Sequence, residues 1–243
     1  MELILNFVTL QPLKLLLGLN MKIMICIPFY MEWERARQGC EELSLNTEHE
    51  FVIEPRQGTQ TYRTRNSFMT ERKSSKRFQK PLGDYDYFMF IDSDIGFHAD
   101  DVLKLIEHDL DVVGAPYEAQ ADNVLEVGVF DPRVKGKIGG KYKMESTGLL
   151  RVDWIGSGFV LIKSSVFERV EYPWFRHTMV IDGDRQEESG EDVGFCLNFA
   201  LHNIPIHCDF SIKLKHTIRH VSDFEWFGDI KGEAKDEREK TTV

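Results

Sequence analysis

Apolar runs of strand length alternate with amphipathic stretches of helix length through the first half of this chain. The runs predict strands over 22–27, 50–53, 87–91 and 110–114, and the amphipathic stretches predict helices over 32–43, 62–78 and 100–107. The run over 87–91 has no polar interruption, as in strands that are covered on both faces. Strands that alternate with helices are typical of a parallel sheet flanked by helices.

The second half carries shorter apolar segments and more turn-forming residues. Strands are predicted over 124–129, 137–150, 153–163, 204–208 and 211–214, with a turn at Gly139-Gly140 and a helix from Ser189 to about 202. Short strands joined by turns are typical of antiparallel pairing. The predicted fold class is therefore α/β, with a mostly parallel sheet flanked by helices and a small antiparallel β part in the second half.

Length and charge limit the class of protein. A chain of 243 residues is of the size of one large domain, which we expect over 21–230. The net charge of −10 argues against general nucleic-acid binding, which depends on basic residues that neutralise phosphates. Residues 231–243 are predicted to be a charged tail.

The first twenty residues are apolar but interrupted by polar residues, glycine and proline, so they fall short of a spanning helix. We expect a leader or upstream extension of uncertain role there, and a peripheral membrane contact stays open as an alternative. No other stretch is apolar enough to be a transmembrane segment. The four cysteines are scattered and lack metal-site spacing, which fits a reducing, cytoplasmic location.

The strongest chemical signal is Asp92-Ser93-Asp94, which follows the uninterrupted strand. Other acidic pairs of this spacing occur in this acidic chain, but they lie in polar or turn-like surroundings. Open α/β sheets bind ligands at the carboxyl ends of their strands, and carboxylates are preferred ligands of Mg²⁺ and related ions. The motif therefore predicts a divalent cation that holds a phosphate-bearing substrate. The alternative is a solvated turn.

Two further positions become informative beside this motif. Glu191-Asp192 opens a predicted helix, where a carboxylate is stabilised in its ionised form and can take a proton from a hydroxyl. His216 follows a predicted strand, and imidazole suits Mn²⁺ better than Mg²⁺. Each has a plain alternative, which is a helix-capping box for the first and a surface histidine for the second.

The order of these motifs resembles that of glycosyltransferases of the GT-A fold, over roughly residues 22–220. The matching segments are Phe-Ile-Asp-Ser-Asp-Ile at 90–95, Trp-Ile-Gly-Ser-Gly-Phe at 154–159, Gly-Glu-Asp-Val-Gly-Phe-Cys at 190–196 and Lys-His-Thr at 215–217, with Arg65-Asn66 upstream. The group it resembles includes family-2-like and mannan-polymerase-like transferases, as found in phages and large viruses. The resemblance implies a GT-A type, Rossmann-like sheet.

The resemblance also implies roles for individual residues. Asp94, Asp92 and His216 would form the metal site for Mn²⁺ or Mg²⁺, and Asp192 would be the base, with Glu191 beside it in acceptor binding. The donor site would be formed by Pro28 and Phe29 near the nucleobase, Arg65 near the base or diphosphate, and Asn66, Asp92 and Ser93. The acceptor side would be lined by Trp154, Gly156, Ser157, Gly158 and Phe159.

The implied activity is transfer of a sugar, from the hexosyltransferase class, between a nucleoside-diphosphate sugar and a hydroxyl of a glycan, lipid-linked or protein acceptor. Glu191-Asp192 favours inversion and the mannan-polymerase likeness favours retention, so the stereochemistry stays open. One alternative is a sugar nucleotidyltransferase, although the chain has no Gly- and Lys-rich phosphate loop after its first strand. The other alternative is a nucleotide-sugar-binding domain without catalysis.

Overall fold

The computed structural model of this protein describes residues 20–70, 85–118 and 124–216. The predicted leader, except for its last residue, and the predicted charged tail lie outside the described residues. So does the second half of the helix predicted over 62–78. None of the helices in the described ranges is long and apolar enough to cross a membrane.

The described residues form the following strands and helices, given in chain order. The first half has β1 (Lys22–Phe29), α1 (Glu34–Ser44), β2 (Glu50–Gln57), α2 (Thr61–Phe68), β3 (Tyr87–Ile91), β4 (Ile95–Gly96), α3 (Ala99–Glu107) and β5 (Val112–Gly114). The second half has β6 (Val124–Phe130), β7 (Ile138–Lys143), β8 (Leu149–Val152), β9 (Trp154–Ile155), β10 (Phe159–Lys163), α4 (Val166–Arg169), β11 (Thr178–Asp182), β12 (Arg185–Ser189), α5 (Glu191–Leu201), β13 (Ile206–Asp209) and β14 (Lys215–His216).

Seven strands form the central sheet in the order β2-β1-β3-β10-β5-β13-β8. Strand β1 pairs in parallel with β2 and β3, and β5 pairs in parallel with β13. Strand β10 runs antiparallel between β3 and β5, and β8 runs antiparallel at the edge beside β13. Five strands therefore share one direction. The predicted α/β fold with a mostly parallel sheet is confirmed, and the arrangement is consistent with a GT-A-like fold.

The sheet separates two hydrophobic cores. Phe88 and Phe90 of β3 point into the core under α2, α4 and α5, whereas Tyr87, Met89 and Ile91 point into the core under α1 and α3. We call these the α2/α5 face and the α1/α3 face. Successive side chains of a strand point to opposite faces, so a strand covered on both sides must be apolar throughout. This explains why the run over 87–91 has no polar residue.

The predicted antiparallel part of the second half is confirmed. It consists of the three-stranded sheet β7-β6-β9 and the hairpin β11-β12. The predicted turn at Gly139-Gly140 is wrong, because both glycines lie within β7 and Gly140 pairs with Val129 of β6. A Cβ atom at Gly139 would lie 2.8 Å from the backbone nitrogen of Asp131. Close strand approach, rather than a turn, is what these glycines allow.

Three predicted boundaries are also wrong. Helix α3 begins at Ala99, because His98 is its N-cap and forms a capping box with Asp101. Ser189 ends β12 and donates its hydroxyl hydrogen bond to the carbonyl oxygen of Thr178, so Gly190 is the N-cap of α5. Residues 211–214 form no strand, and only Lys215–His216 pair with β4.

Candidate active site

The Asp92-Ser93-Asp94 motif forms a turn at the carboxyl end of β3. The backbone N–H of Asp92 donates to the carbonyl oxygen of Gly158 at 2.9 Å, and the N–H of Ile95 donates back to the carbonyl oxygen of Asp92 at 3.1 Å. The chain then enters β4, which pairs with β14. Because of this turn the two carboxylates diverge, and Asp92 lies on the α2/α5 side while Asp94 lies beside β14.

Asp92 belongs to a cluster around the guanidinium of Arg65, whose side chain is only 2% exposed. Arg65 Nη2 donates to Asp92 Oδ1 at 2.6 Å. Its Nη1 donates to Glu191 Oε1 at 3.1 Å and to Asp192 Oδ1 at 3.0 Å. One side chain of α2 thus joins the turn after β3 to the first turn of α5. The four residues come from three distant parts of the sequence, and we call them the Arg65 cluster.

Both the guanidinium and the carboxylates of this cluster are stabilised in their charged forms. Burial alone would lower the pKa of Arg65, but the carboxylates of Asp92, Asp192 and Glu191 more than offset it and raise that pKa. The side chains of Asp92, Glu191 and Asp192 stay 27%, 20% and 31% exposed, so water solvates the excess negative charge. The two α5 carboxylates also lie at a helix N-terminus, whose dipole favours anions.

Asn66 fixes the helix that carries Arg65. Its Nδ2 donates to the carbonyl oxygens of Tyr62 and Phe175, and its Oδ1 accepts from the N–H of Phe175. The ring of Phe175 lies 5.6 Å from the Arg65 guanidinium carbon, within the range of a cation–π contact. The structure therefore places Asn66 as an internal anchor that is 4% exposed, not at an open surface.

Asp94 contacts His216 on the other side of the turn. His216 Nε2 lies 3.5 Å from Asp94 Oδ2, and His216 Nδ1 lies 2.7 Å from the carbonyl oxygen of Glu118. Because a carbonyl oxygen can only accept, Nδ1 carries a proton and donates to Glu118. Nε2 then donates to Asp94 when the ring is an imidazolium, and presents a lone pair when the ring is neutral, as in histidines that bind metals. The hydrogen bond to Asp94 is the main cause that raises the pKa of His216.

These residues fit a divalent cation only in part. Among the described residues, no three or more His, Cys, Asp or Glu side chains are arranged to hold a metal ion. Asp94 and His216 offer one oxygen and one nitrogen, while Oδ1 of Asp92 is bonded to Arg65. Mg²⁺ usually binds through one or two carboxylates together with water and substrate phosphates. The pair fits such a site if the substrate supplies the remaining ligands.

A groove of about 570 Å³ adjoins Asp94 on the α1/α3 side. Its walls come from the start of α1, the 93–98 segment and residues 213–215, and its charged and polar members include Glu32, Glu34, Arg35, Gln38, Ser93, Asp94, His98, Lys213 and Lys215. The cations on this wall could contact phosphate oxygens. Pro28 and Phe29 end β1 at the same edge of the sheet, with Pro28 buried and Phe29 half-buried.

The residues expected on the acceptor side all lie inside the protein. They are Trp154, Gly156, Ser157, Gly158 and Phe159, and each is buried. Phe159 packs in the α1/α3 core, and the Trp154 ring packs in the α2/α5 core. Gly156 and Gly158 face the ring of Tyr117. The bare glycine backbone therefore makes room for a side chain of this protein at these two positions.

Two residues beside the site carried no signal in the sequence. Tyr117 lies between Gly158 and His216. The centroids of the Tyr117 and His216 rings are 5.2 Å apart. His177 lies at the outer edge of the Arg65 cluster, with Nε2 3.9 Å from Glu191 Oε2 and its ring edge-on to Tyr62. Tyr117 follows β5, which runs parallel to β3, so knowledge of the strand order would have pointed to it.

Comparisons with known proteins give a likeness in fold. No family model matches the sequence, and no curated protein matches it. The structure of A197 from STIV is similar, with a TM-score of 0.51 and 20% identity, over 82% of this chain and 86% of that chain. A glycosyltransferase involved in the glycosylation of the major capsid of PBCV-1 aligns with a TM-score of 0.33 and 13% identity, over 63% of this chain and 69% of that chain. At 20% identity the likeness to A197 concerns the fold alone.

Proposed function

We propose that this protein is a glycosyltransferase that moves a sugar from a nucleoside-diphosphate sugar to an acceptor hydroxyl. The observation that carries the proposal is the Arg65 cluster beside the Asp94–His216 pair. Arg65 brings Asp92 and Asp192 together at the carboxyl end of β3, where α/β proteins bind their ligands. In this proposal the donor site and the proton acceptor would be neighbours.

On the donor side, Asp94 and His216 would hold a Mn²⁺ or Mg²⁺ ion, which neutralises negative charge on a leaving diphosphate. Asp92 would accept a hydrogen bond from a hydroxyl of the donor, because Arg65 fixes the carboxylate through Oδ1 and the side chain is 27% exposed. The groove beside Ser93 and Asp94 offers room for the nucleoside diphosphate, and Lys213 and Lys215 line it. Pro28 and Phe29 would border the nucleobase.

On the acceptor side, Asp192 would take the proton from the attacking hydroxyl. The acceptor oxygen forms its bond to the anomeric carbon, the bond from that carbon to the diphosphate oxygen breaks, and the electron pair leaves with the diphosphate. The proton goes to Asp192, whose position Arg65 Nη1 fixes at 3.0 Å. A fixed base of this kind contributes roughly 10²–10⁴-fold to a rate. Glu191 would hold the acceptor beside it.

The test is a thermal-unfolding panel with UDP-, GDP-, ADP-, CMP- and dTDP-sugars, each with and without Mn²⁺. A ligand at about 100 times its dissociation constant adds about 2.7 kcal/mol to the free energy of unfolding, which shifts the midpoint visibly. We expect one nucleotide to stabilise the protein, and chelation or Asp94→Ala to abolish the shift. If the folded protein responds to none of them with metal present, the proposal is rejected.

A second candidate is a nucleotide-sugar-binding domain without catalysis. Its supporting observation is that Glu191 and Asp192 share the same guanidinium nitrogen of Arg65, so the proposed base is already engaged in an ion pair. The two candidates separate in one assay. Binding of a nucleotide sugar without release of the nucleoside diphosphate, with or without an acceptor, would favour the second.

A further inference from the structure

Tyr117 contacts His216 directly and reaches the other half of the candidate site through the backbone of Gly158, which bonds to Asp92. Its hydroxyl oxygen accepts a hydrogen bond from the N–H of Gly158 at 3.3 Å. Its ring packs against the ring of His216 at an interplanar angle of 66°. The backbone carbonyl of the next residue, Glu118, binds His216 Nδ1 at 2.7 Å. The segment after β5 therefore fixes the position and the orientation of this histidine.

The link to the other half runs through the backbone of Gly158. Its N–H donates to Tyr117, and its carbonyl oxygen accepts from the N–H of Asp92 at 2.9 Å. Asp92 in turn accepts from Arg65. A continuous set of contacts thus joins Tyr117 to the Arg65 cluster in one direction and to Asp94, through His216, in the other.

Tyr117 also explains why residues 156 and 158 are glycines. A Cβ atom at Gly158 would lie 2.8 Å from Tyr117 Cζ and 2.9 Å from Asp92 Oδ2. A Cβ atom at Gly156 would overlap the Tyr117 hydroxyl. Neither glycine has a positive φ, so the requirement is for space and not for an unusual backbone conformation. The Gly-Ser-Gly segment is shaped to receive the tyrosine.

We propose that Tyr117 is a positioning residue, which sets the distance between the Asp92 side and the Asp94–His216 side of the donor site. The inference rests on the proposed function, and it assigns Tyr117 no contact with the reacting atoms. Residues that orient a metal ligand from behind are worth about 10–100-fold in metal affinity or activity when they are changed. Tyr117 is 7% exposed, so it can act only through its neighbours.

The experiment compares Tyr117→Leu and Tyr117→Phe with Tyr87→Phe. Tyr87 is a matched control, because it is fully buried and its hydroxyl bonds to Asp109 at 3.1 Å at the far end of β3. Mn²⁺ affinity is measured in the presence of UDP, GDP, ADP or dTDP. We expect a loss of about tenfold or more in Tyr117→Leu, which lacks the ring beside His216. Tyr117→Phe keeps the ring and should retain most of the Mn²⁺ affinity but lower kcat, because Gly158 and Asp92 lose their support. Tyr87→Phe should change neither quantity.

A second measurement tests the packing without any ligand. Gly156→Ala should lower the unfolding midpoint strongly in the wild-type background and less in the Tyr117→Leu background, because the clashing hydroxyl and ring edge are gone. Equal losses in both backgrounds would overturn the inference. So would a folded Tyr117→Leu variant with wild-type Mn²⁺ affinity and kcat. A wild-type protein that binds no Mn²⁺ with any nucleotide would instead reject the proposed function, and this inference with it.

Discussion

Asp92 and Asp94 lie two residues apart, but their side chains differ in exposure and in the kind of partner they contact. Asp92 is bonded to a guanidinium that is 2% exposed and that holds two more carboxylates. The side chain of Asp94 is 51% exposed, and one of its contacts is with His216 Nε2 at 3.5 Å. The first side is held by several contacts within the protein. The second is accessible to solvent, and therefore to a ligand that arrives from it.

The difference suggests how the two sides divide the work. A group fixed before the substrate arrives costs no reorganisation during the reaction, which suits a base and a residue that orients the donor. A cation that carries a diphosphate must enter and leave with its substrate, which suits a site completed by that substrate. The comparison makes two demands. Changes in the Arg65 cluster should lower the stability or the rate even though the cluster forms without a ligand. Changes in the Asp94–His216 pair should lower the affinity for the ligand.

The largest effect is expected for Asp192→Asn. In the wild type, Arg65 Nη1 lies 3.0 Å from Asp192 Oδ1. The amide oxygen of the variant can still accept this hydrogen bond, so the cluster should persist while the proton acceptor is lost. We expect kcat to fall roughly 10³-fold, with donor binding unchanged. Steady-state kinetics and the nucleotide panel measure the two quantities. Asp182→Asn, in the β11–β12 hairpin, is the control and should keep its rate. An unchanged kcat in Asp192→Asn would remove Asp192 from the mechanism.

The next effect concerns stability. Arg65→Met leaves three carboxylates around an apolar side chain, and loss of one member of a buried ion pair costs about 3–5 kcal/mol. Because the carboxylates are partly exposed, we expect the lower end, about 3 kcal/mol, from urea unfolding. Arg65→Lys should lower the free energy of unfolding by less than Arg65→Met, because it keeps the positive charge. It should not match the wild type, because an ammonium cannot form the forked hydrogen bonds of a guanidinium. Arg133→Met, where the side chain is 82% exposed, should leave the midpoint nearly unchanged. Equal midpoints for Arg65→Met and Arg133→Met would mean that the cluster does not hold the site together.

On the Asp94 side the same reasoning predicts a loss of ligand affinity rather than of stability. His216→Gln should weaken Mn²⁺ binding in the presence of the stabilising nucleotide about tenfold, with an unfolding midpoint close to that of the wild type. His202→Gln is a matched control, because His202 Nδ1 also bonds to a backbone carbonyl, that of Asn198, at 2.8 Å. If His216→Gln unfolds much earlier and binds Mn²⁺ normally, the histidine is structural and the comparison fails.

The sequence predicted the part of this site that local pattern controls. An apolar run covered on both faces must end at an edge of the sheet, so the position of Asp92 followed from 87–91. The divergence of Asp94 did not follow, because it depends on the pairing of β4 with β14 from the end of the described chain. The sequence also gave Arg65 no sign of burial, since its helix is polar and its partners come from α5 and the turn after β3.

The glycines at 156 and 158 show a different limit of sequence analysis. A glycine indicates that something approaches the backbone closely, but it does not identify what approaches. The resemblance to glycosyltransferases suggested a sugar, whereas the structure has the ring of Tyr117 in that space. Only the strand order, which sets β5 beside β10, brings Tyr117 to this place. Contacts of this kind, between segments distant in sequence, cannot be predicted from the local sequence pattern.

The smallest effect tests whether the cores on the α2/α5 face and on the α1/α3 face exclude water equally well. Burial raises the pKa of the Cys196 thiol in α5 and of the Cys40 thiol in α1 from 9.0 to about 12. A thiol with a raised pKa in the folded state contributes stability below the unfolded-state pKa, and loses it as pH rises from about 9 towards 12. Between about pH 8 and pH 10, each thiol should therefore cost about 1 kcal/mol of the free energy of unfolding. Cys196→Ala and Cys40→Ala should each reduce that pH-dependent loss by a similar amount in urea titrations. A reduction in only one of them would show that water reaches one core, so that the contrast between Asp92 and Asp94 extends below the surface of the site.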